Sequence, residues 1–113
     1  MAVKPSLPAA KALELTSLVS YTEKGVASRV IGRSEGGSVT LFAFDEGEEL
    51  SEHKTPYEAL VTVLEGSLVV TVEGVRASAG AGTVVRIPAN APHALESIER
   101  SKMMLVMLRG RGA

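Results

Sequence analysis

The chain has 113 residues, which is enough for one domain with a single modest core. Its composition, 45% hydrophobic and 22% charged, is typical of a folded protein and excludes a disordered one. The 12 basic and 13 acidic side chains are mixed along the sequence, so no basic block predicts a nucleic-acid or membrane partner. The absence of cysteine excludes disulfides, thiolate metal sites and a cysteine nucleophile.

The N-terminal arm, residues 1–20, is the least regular part of the sequence. Prolines and charged residues interrupt it, so it contains no apolar core of a signal peptide. Its stretch PAAKALELTSLV is the candidate for a short N-terminal helix, although an extended conformation fits equally well. We expect a cytoplasmic, soluble protein with one domain spanning residues 1–113.

After this arm, apolar and polar residues alternate in short runs separated by glycine and proline. A period of two residues is typical of strands that bury one face. The runs are 26–31, 38–44, 59–64, 67–72, 83–87, 93–97 and 103–108. Roughly seven or eight short strands at this spacing predict an all-β sandwich or barrel.

The two histidines of the chain each precede an apolar run. His53 begins HKTPYEALVTVLEG, and His93 follows the proline-rich turn PANAP. If the first segment is extended throughout, the residues that share the face of His53 are Thr55, Ala59, Val61 and Val63. The opposite face carries Glu58, Leu60, Thr62 and Leu64. Because both faces are rather apolar, we expect the outer one to be covered too, by a second sheet or a second subunit.

The spacing around these histidines resembles that of a small, single-domain cupin. The first cupin motif has glycine, His-x-His, glutamate and glycine, and its positions fall on Gly47, His53, Thr55, Ala59 and Gly66 with the spacing intact. The second motif has glycine, Pro-x-Gly, histidine and asparagine, and its positions fall on Gly82, Pro88, Asn90, His93 and Ser97. Asparagine replaces glycine at 90 at little cost, because both residues tolerate the left-handed conformation. The resemblance implies a cupin-type jelly-roll β-barrel of two antiparallel sheets with a pocket between them.

The resemblance also implies where a metal would bind. Metal-binding cupins use the two first-motif histidines, the glutamate and the second-motif histidine, which correspond here to His53, Thr55, Ala59 and His93. Alanine cannot coordinate a metal, and a threonine hydroxyl is a poor ligand beside imidazole. Since catalytic zinc or iron normally has three protein ligands, His53 and His93 predict at most a weakly held divalent transition metal (Zn, Fe, Mn, Ni or Cu), and otherwise no cofactor.

A third ligand would have to come from elsewhere in the chain. Glu58 adjoins the vacant glutamate position, but its parity directs it away unless a bulge intervenes. Met103, Met104 or Met107 offers a thioether suited to Cu(I), although methionine commonly serves as core filler.

The predicted ligand pocket consists of His53, Thr55, Tyr57, Ala59 and His93, with the Tyr57 hydroxyl at the barrel mouth. The leading hypothesis is a binding module for a small organic molecule, anchored by the two histidines among apolar walls. The alternative is a metal-dependent enzyme such as a dioxygenase, decarboxylase or isomerase. A structural role with an empty pocket is the third.

The resemblance further implies a homodimer, and pairing would cover the edges of a short open barrel. The N-terminal arm and the outward residues Leu60, Thr62 and Leu64 are the candidates for that contact.

Overall fold

The period-two runs form strands in the computed structural model, which describes residues 7–110. The strands are β1 (Val26–Ser34), β2 (Gly37–Phe44), β3 (Glu49–His53), β4 (Glu58–Glu65), β5 (Ser67–Val72), β6 (Val75–Gly80), β7 (Val84–Ile87), β8 (His93–Ser97) and β9 (Ser101–Leu108). They form a larger sheet in the order β1-β2-β9-β4-β7 and a smaller one in the order β3-β8-β5-β6. Every pairing is antiparallel. The prediction of an all-β protein built from two antiparallel sheets is confirmed.

The possible N-terminal helix is reduced to one 3₁₀ turn, Leu15–Leu18, with extended residues on both sides. An isolated helix of about 12 residues is only marginally stable in water, so tertiary contacts decide the conformation of this stretch. Here Leu15, Leu18 and Val19 pack against the larger sheet instead. The first six residues of the predicted arm lie outside the described part of the chain. No helix within residues 7–110 is long and apolar enough to cross a membrane.

The segment that begins at His53 is not extended throughout, so the condition for a shared face of His53 and Ala59 is not met. His53 ends β3 in the smaller sheet, and the strand that carries Ala59 begins at Glu58 in the larger sheet. Pro56 lies in the connection between them, where its missing N–H leaves no gap in a sheet ladder. Consequently His53 and Ala59 approach the pocket from different sheets rather than from one strand face.

The space between the sheets contains the core. The predicted inward residues Ala59, Val61 and Val63 are each at most 3% exposed. They pack with Phe44 and Met103 of the same sheet and with the remaining buried members of the cluster: Leu68, Val70, Ala79, Ile87, Ala91 and Leu95.

The outer face of the larger sheet is covered in part by the N-terminal segment of the same chain. Leu41 and Ala43 of β2 and Val19 form a second buried cluster there, against which Leu64 packs. The Tyr21 hydroxyl donates a 2.6 Å hydrogen bond to the carboxylate of Glu65. Burial and this carboxylate raise the pKa of Tyr21 well above its usual value. The N-terminal segment of the same chain therefore buries part of the outward apolar face of the larger sheet.

Candidate functional site

Pairing of β3 with β8 places the two histidines side by side. His53 and His93 are register partners, and their ring centroids are 4.3 Å apart at an interplanar angle of 57°. His93 is buried, with 6% of its surface exposed, and it continues the inward row of Leu95 and Ser97 on β8. His53 is exposed because β3 is the edge strand of the smaller sheet. The pair therefore connects the interior of the barrel with solvent.

The hydrogen bonds of both imidazoles select one neutral tautomer. Nδ1 of His53 lies 2.8 Å from the Ser51 carbonyl oxygen, and Nδ1 of His93 lies 2.9 Å from the Ala91 carbonyl oxygen. A carbonyl oxygen only accepts, so Nδ1 of each neutral ring carries the proton and donates it. Each Nε2 then keeps its lone pair, which can accept a hydrogen bond from a ligand or bind a metal.

Two connections close the same end of the barrel over this pair. One, 54–57, joins His53 to β4, and the other, 88–92, joins β7 to His93. They are tied together by a 2.7 Å hydrogen bond from the Asn90 N–H to the Thr55 carbonyl oxygen. Asn90 has φ 65°, the left-handed conformation anticipated for this motif position. This end of the barrel thus brings together both cupin-like motifs.

Thr55 and Ala59, which stand where a cupin has metal ligands, both have structural contacts nearby. The Thr55 hydroxyl donates to the Tyr57 carbonyl oxygen and accepts from the Tyr57 N–H, both at 3.2 Å, so it is engaged within its own turn. Ala59 is buried in the larger sheet between its register partners Met107 and Ile87. An apolar surface therefore occupies the place where a cupin glutamate would stand.

The residues present do not fit the four-ligand metal centre of a cupin. Within residues 7–110 no group of three or more His, Cys, Asp or Glu side chains converges on one point. Glu58 points outward, as its parity predicted, and pairs with Arg86 at 3.0 Å. Met103 is core filler with 1% exposure, and Met104 packs in the outer cluster. Met107 is the register partner of Ala59, and His53 and His93 are the motif ligands that remain.

Tyr57 lies in the connection between β3 and β4. It is partly buried and lines a cavity of about 250 Å³ together with Met107. Nη2 of Arg109 donates a 3.0 Å hydrogen bond to the Tyr57 hydroxyl, and this guanidinium lies 5.4 Å from the centre of the tyrosine ring. Sequence reasoning did not identify Arg109 or Arg33, which lines the same cavity. Their only sequence signal is their position near strand ends, which many surface arginines share.

Comparisons with known proteins agree with this geometry. A family model described as a cupin domain matches residues 40–109. A conserved protein of unknown function from Streptococcus pyogenes is 30% identical, with a TM-score of 0.89 over 98% of this chain and 97% of its own. A cupin superfamily protein from Desulfitobacterium hafniense is 29% identical, with a TM-score of 0.88 over 96% and 100%. A cupin 2 conserved barrel domain protein from Leptotrichia buccalis is 35% identical, with a TM-score of 0.83 over 86% of this chain and 47% of its own. No curated protein matches the chain.

Proposed function

Because this chain belongs to the cupin domain family, we propose that it binds a small organic molecule in the barrel pocket around His53 and His93. The observation that carries the proposal is the adjacency of the two rings at 4.3 Å with both Nδ1 atoms held by carbonyl oxygens. Two adjacent imidazoles fixed in this way each keep the lone pair of Nε2. That arrangement suits a ligand hydroxyl or amine, which can donate to either Nε2.

The surroundings of the histidines support a ligand pocket of the usual kind. Apolar walls with a few converging polar groups are typical of small-molecule sites. On the larger sheet Ala59 and its register partners Ile87 and Met107 are all apolar, and on β8 Leu95 is the next inward-facing residue after His93. We assign the Thr55 hydroxyl a structural role in its turn, because both of its hydrogen bonds are made there.

One observation favours the second candidate, a metal-dependent dioxygenase, decarboxylase or isomerase. A free lone pair on each Nε2 is the state that a metal requires of histidine. Two ligands are nevertheless fewer than the three that catalytic zinc normally has. The organic ligand therefore remains the leading proposal, with any divalent metal weakly held.

Two measurements on untagged protein test the proposal. The first is a thermal-shift screen of small alcohols, amines, sugars and carboxylic acids, with hits mapped by the ring ¹H–¹³C signals of the two histidines. We expect at least one hit to shift both ring signals and to lose its stabilising effect in the His53→Ala/His93→Ala variant. His53→Gln serves as a second variant, since this exposed side chain can be changed without disturbing the core. A screen in which no compound shifts either histidine would contradict the proposal.

The second measurement is metal content by mass spectrometry, for the wild type and the double-histidine variant. We expect substoichiometric metal in the wild type. One metal per chain that is lost in the double variant would show that a third ligand exists, and it would replace the binding module with the metalloenzyme.

A further inference from the structure

The cavity at Tyr57 has a chemical character that differs from that of the histidine pair. Its lining residues include two arginines, Arg33 and Arg109, and three residues with hydroxyl groups, Ser34, Ser38 and Tyr57. Within the described part of the chain, no aspartate or glutamate lines it. Its volume of about 250 Å³ equals that of roughly eight liquid water molecules. The cavity is therefore a small cationic chamber with hydrogen-bond donors on its walls.

Strand register explains why these residues meet. Arg33 pairs with Ser38, Ser38 with Met107, and Met107 with Ala59, so the four form one row across β1, β2, β9 and β4. Directly opposed residues of antiparallel strands project to the same side of a sheet. Since Met107 and Ala59 face the core between the sheets, Arg33 and Ser38 are on that inner face too. With neighbouring strands about 4.8 Å apart, the Arg33 backbone lies about 14 Å from that of Ala59. The Arg33 side chain lines the same cavity as Met107 and Tyr57.

Neither arginine of the cavity has a carboxylate partner in residues 7–110. The ion pairs in this part of the chain are Arg86–Glu58 and Arg100–Asp45. Glu58, which directly follows Tyr57, is held by Arg86 on the outer face. Arg109 is anchored instead by its backbone, whose N–H donates to the Gly36 carbonyl oxygen at 2.9 Å. Two guanidinium charges therefore stand at one cavity without an internal counter-charge among the described residues.

The hydrogen bond between Arg109 and Tyr57 leaves a donor free. The phenol oxygen accepts from Arg109, so the phenol proton is available to a further acceptor. The remaining N–H groups of Arg109 are further donors that can bind an acceptor in the cavity. The Ser38 hydroxyl is another, since it makes no side-chain hydrogen bond within residues 7–110. Guanidinium forks with an adjacent hydroxyl donor match the geometry of a carboxylate.

We propose that this cavity is an anion subsite that holds the carboxylate of a small organic acid between Arg33, Arg109 and Tyr57. The inference rests on the proposed binding function and names its ligand class. The carboxylate binds at the arginines, the apolar body of the acid lies along Met107, and its far end extends toward the histidine pair.

The test uses benzoate, its neutral counterpart benzamide, and inorganic phosphate, each titrated into the full-length protein by calorimetry and by NMR of the Tyr57 ring. The variants are Arg33→Gln and Arg109→Gln, with Arg76→Gln as the matched control, because Arg76 is exposed on β6 of the other sheet. We expect benzoate to shift the Tyr57 signals and to bind at least tenfold more weakly in either cavity variant. Arg76→Gln should bind as the wild type does, and benzamide at least tenfold more weakly than benzoate.

Three outcomes would overturn the subsite: equal affinity of benzoate for the wild type and both cavity variants, equal affinity for benzamide, or tighter binding of phosphate than of benzoate. A ¹H–¹⁵N spectrum confirms that each variant is folded. The benzoate affinity of Arg109→Lys, which keeps the charge but not the fork, should lie between those of the wild type and Arg109→Gln.

The histidine ring signals separate the two proposals. If neutral ligands shift the histidine signals and bind the arginine variants as they bind the wild type, only the anion subsite is contradicted. If benzoate shifts the Tyr57 signals but no compound shifts the histidine signals, only the histidine pocket is contradicted.

Discussion

At the residue scale, backbone geometry explains why the motif glycines are recognisable in the sequence. Gly47, Gly66 and Gly82 have φ of 78°, 82° and 87°, a region that side chains with a Cβ rarely adopt. Gly66 is under a second constraint, because an added Cβ would lie 2.2 Å from the Arg100 carbonyl oxygen and 2.4 Å from Ser101 Oγ. At Gly47 and Gly82 the same Cβ would meet nothing within 4 Å.

The positive φ at Gly47 and the positive φ plus close contact at Gly66 predict that alanine will destabilise the protein by different amounts at the two positions. Gly47→Ala should lower the free energy of unfolding by about 1 kcal/mol, the cost of a left-handed alanine alone. Gly66→Ala should lower it by about 3 kcal/mol or more, since it also forces apart β5 and the turn before β9. Urea denaturation of the two variants measures the difference, and equal costs would show that the contact at Gly66 relaxes freely.

At the element scale, one carboxylate joins three parts of the chain. Asp45, at the end of β2, accepts hydrogen bonds from the Lys24 N–H at 2.7 Å, from Arg100 Nε at 2.9 Å and from the Glu46 N–H at 2.9 Å. The bond from the Lys24 N–H, with those from Arg100 and Glu46, lowers the pKa of Asp45 from 3.8 to about 2. The segment before β1 and the turn before β9 are thereby attached to the same strand end.

This lowered pKa predicts an acid-dependent contribution to stability. A group with a lower pKa in the folded state than in the unfolded state stabilises the fold above the unfolded value. The contribution of Asp45 should therefore be nearly complete above about pH 5. It should be lost progressively as the pH falls from there through the folded pKa of about 2. Asp45→Asn should destabilise the protein at pH 7 and clearly less at pH 2, where about half of the folded carboxyls are protonated, as measured by urea denaturation across this range. Glu46→Gln is the control, because it removes a neighbouring exposed charge but keeps the backbone N–H that binds Asp45. A difference between wild type and Asp45→Asn that persists unchanged at pH 2 would contradict the assignment.

At the scale of the whole molecule, the larger sheet keeps an apolar surface that its N-terminal segment does not bury. Val84 on β7 is 59% exposed and Leu108 on β9 is 43% exposed. Between these strands Leu60 and Thr62 of β4 are partly exposed. We propose that a second copy of the chain covers this surface, as the resemblance to small cupins implied.

The dimer is tested with two matched valines. Val84→Lys places a charge on the proposed contact, and Val75→Lys places one on β6 of the other sheet, where Val75 is 70% exposed. Light scattering should give twice the chain mass for the wild type and Val75→Lys, and a lower average mass for Val84→Lys. A wild type with the mass of one chain, or a Val84→Lys variant with unchanged mass, would contradict the proposal.

Much of the fold was predictable because strand alternation is a local property of the sequence. The inward face of β4 followed from its period of two, and Asn90 was assigned its left-handed role from its motif position. The strands β3 and β6, in contrast, were missed because ELSEH and VRASAG carry few apolar residues. They owe their extended conformation to pairing with β8 and β5, which no local pattern encodes.

The sequence by itself determined the fold class and the faces of the long strands, and it singled out the two histidines as the candidate site. Only the tertiary structure decided that His53 and Ala59 belong to different sheets, and that Arg33 and Arg109 meet at Tyr57. The physical reason is that a side chain's face depends on its immediate neighbours, whereas the partner of a strand depends on which distant segment buries the most apolar surface against it. Arg33 and Arg109 are 76 positions apart in the chain and share one cavity only because β1, β2 and β9 are adjacent.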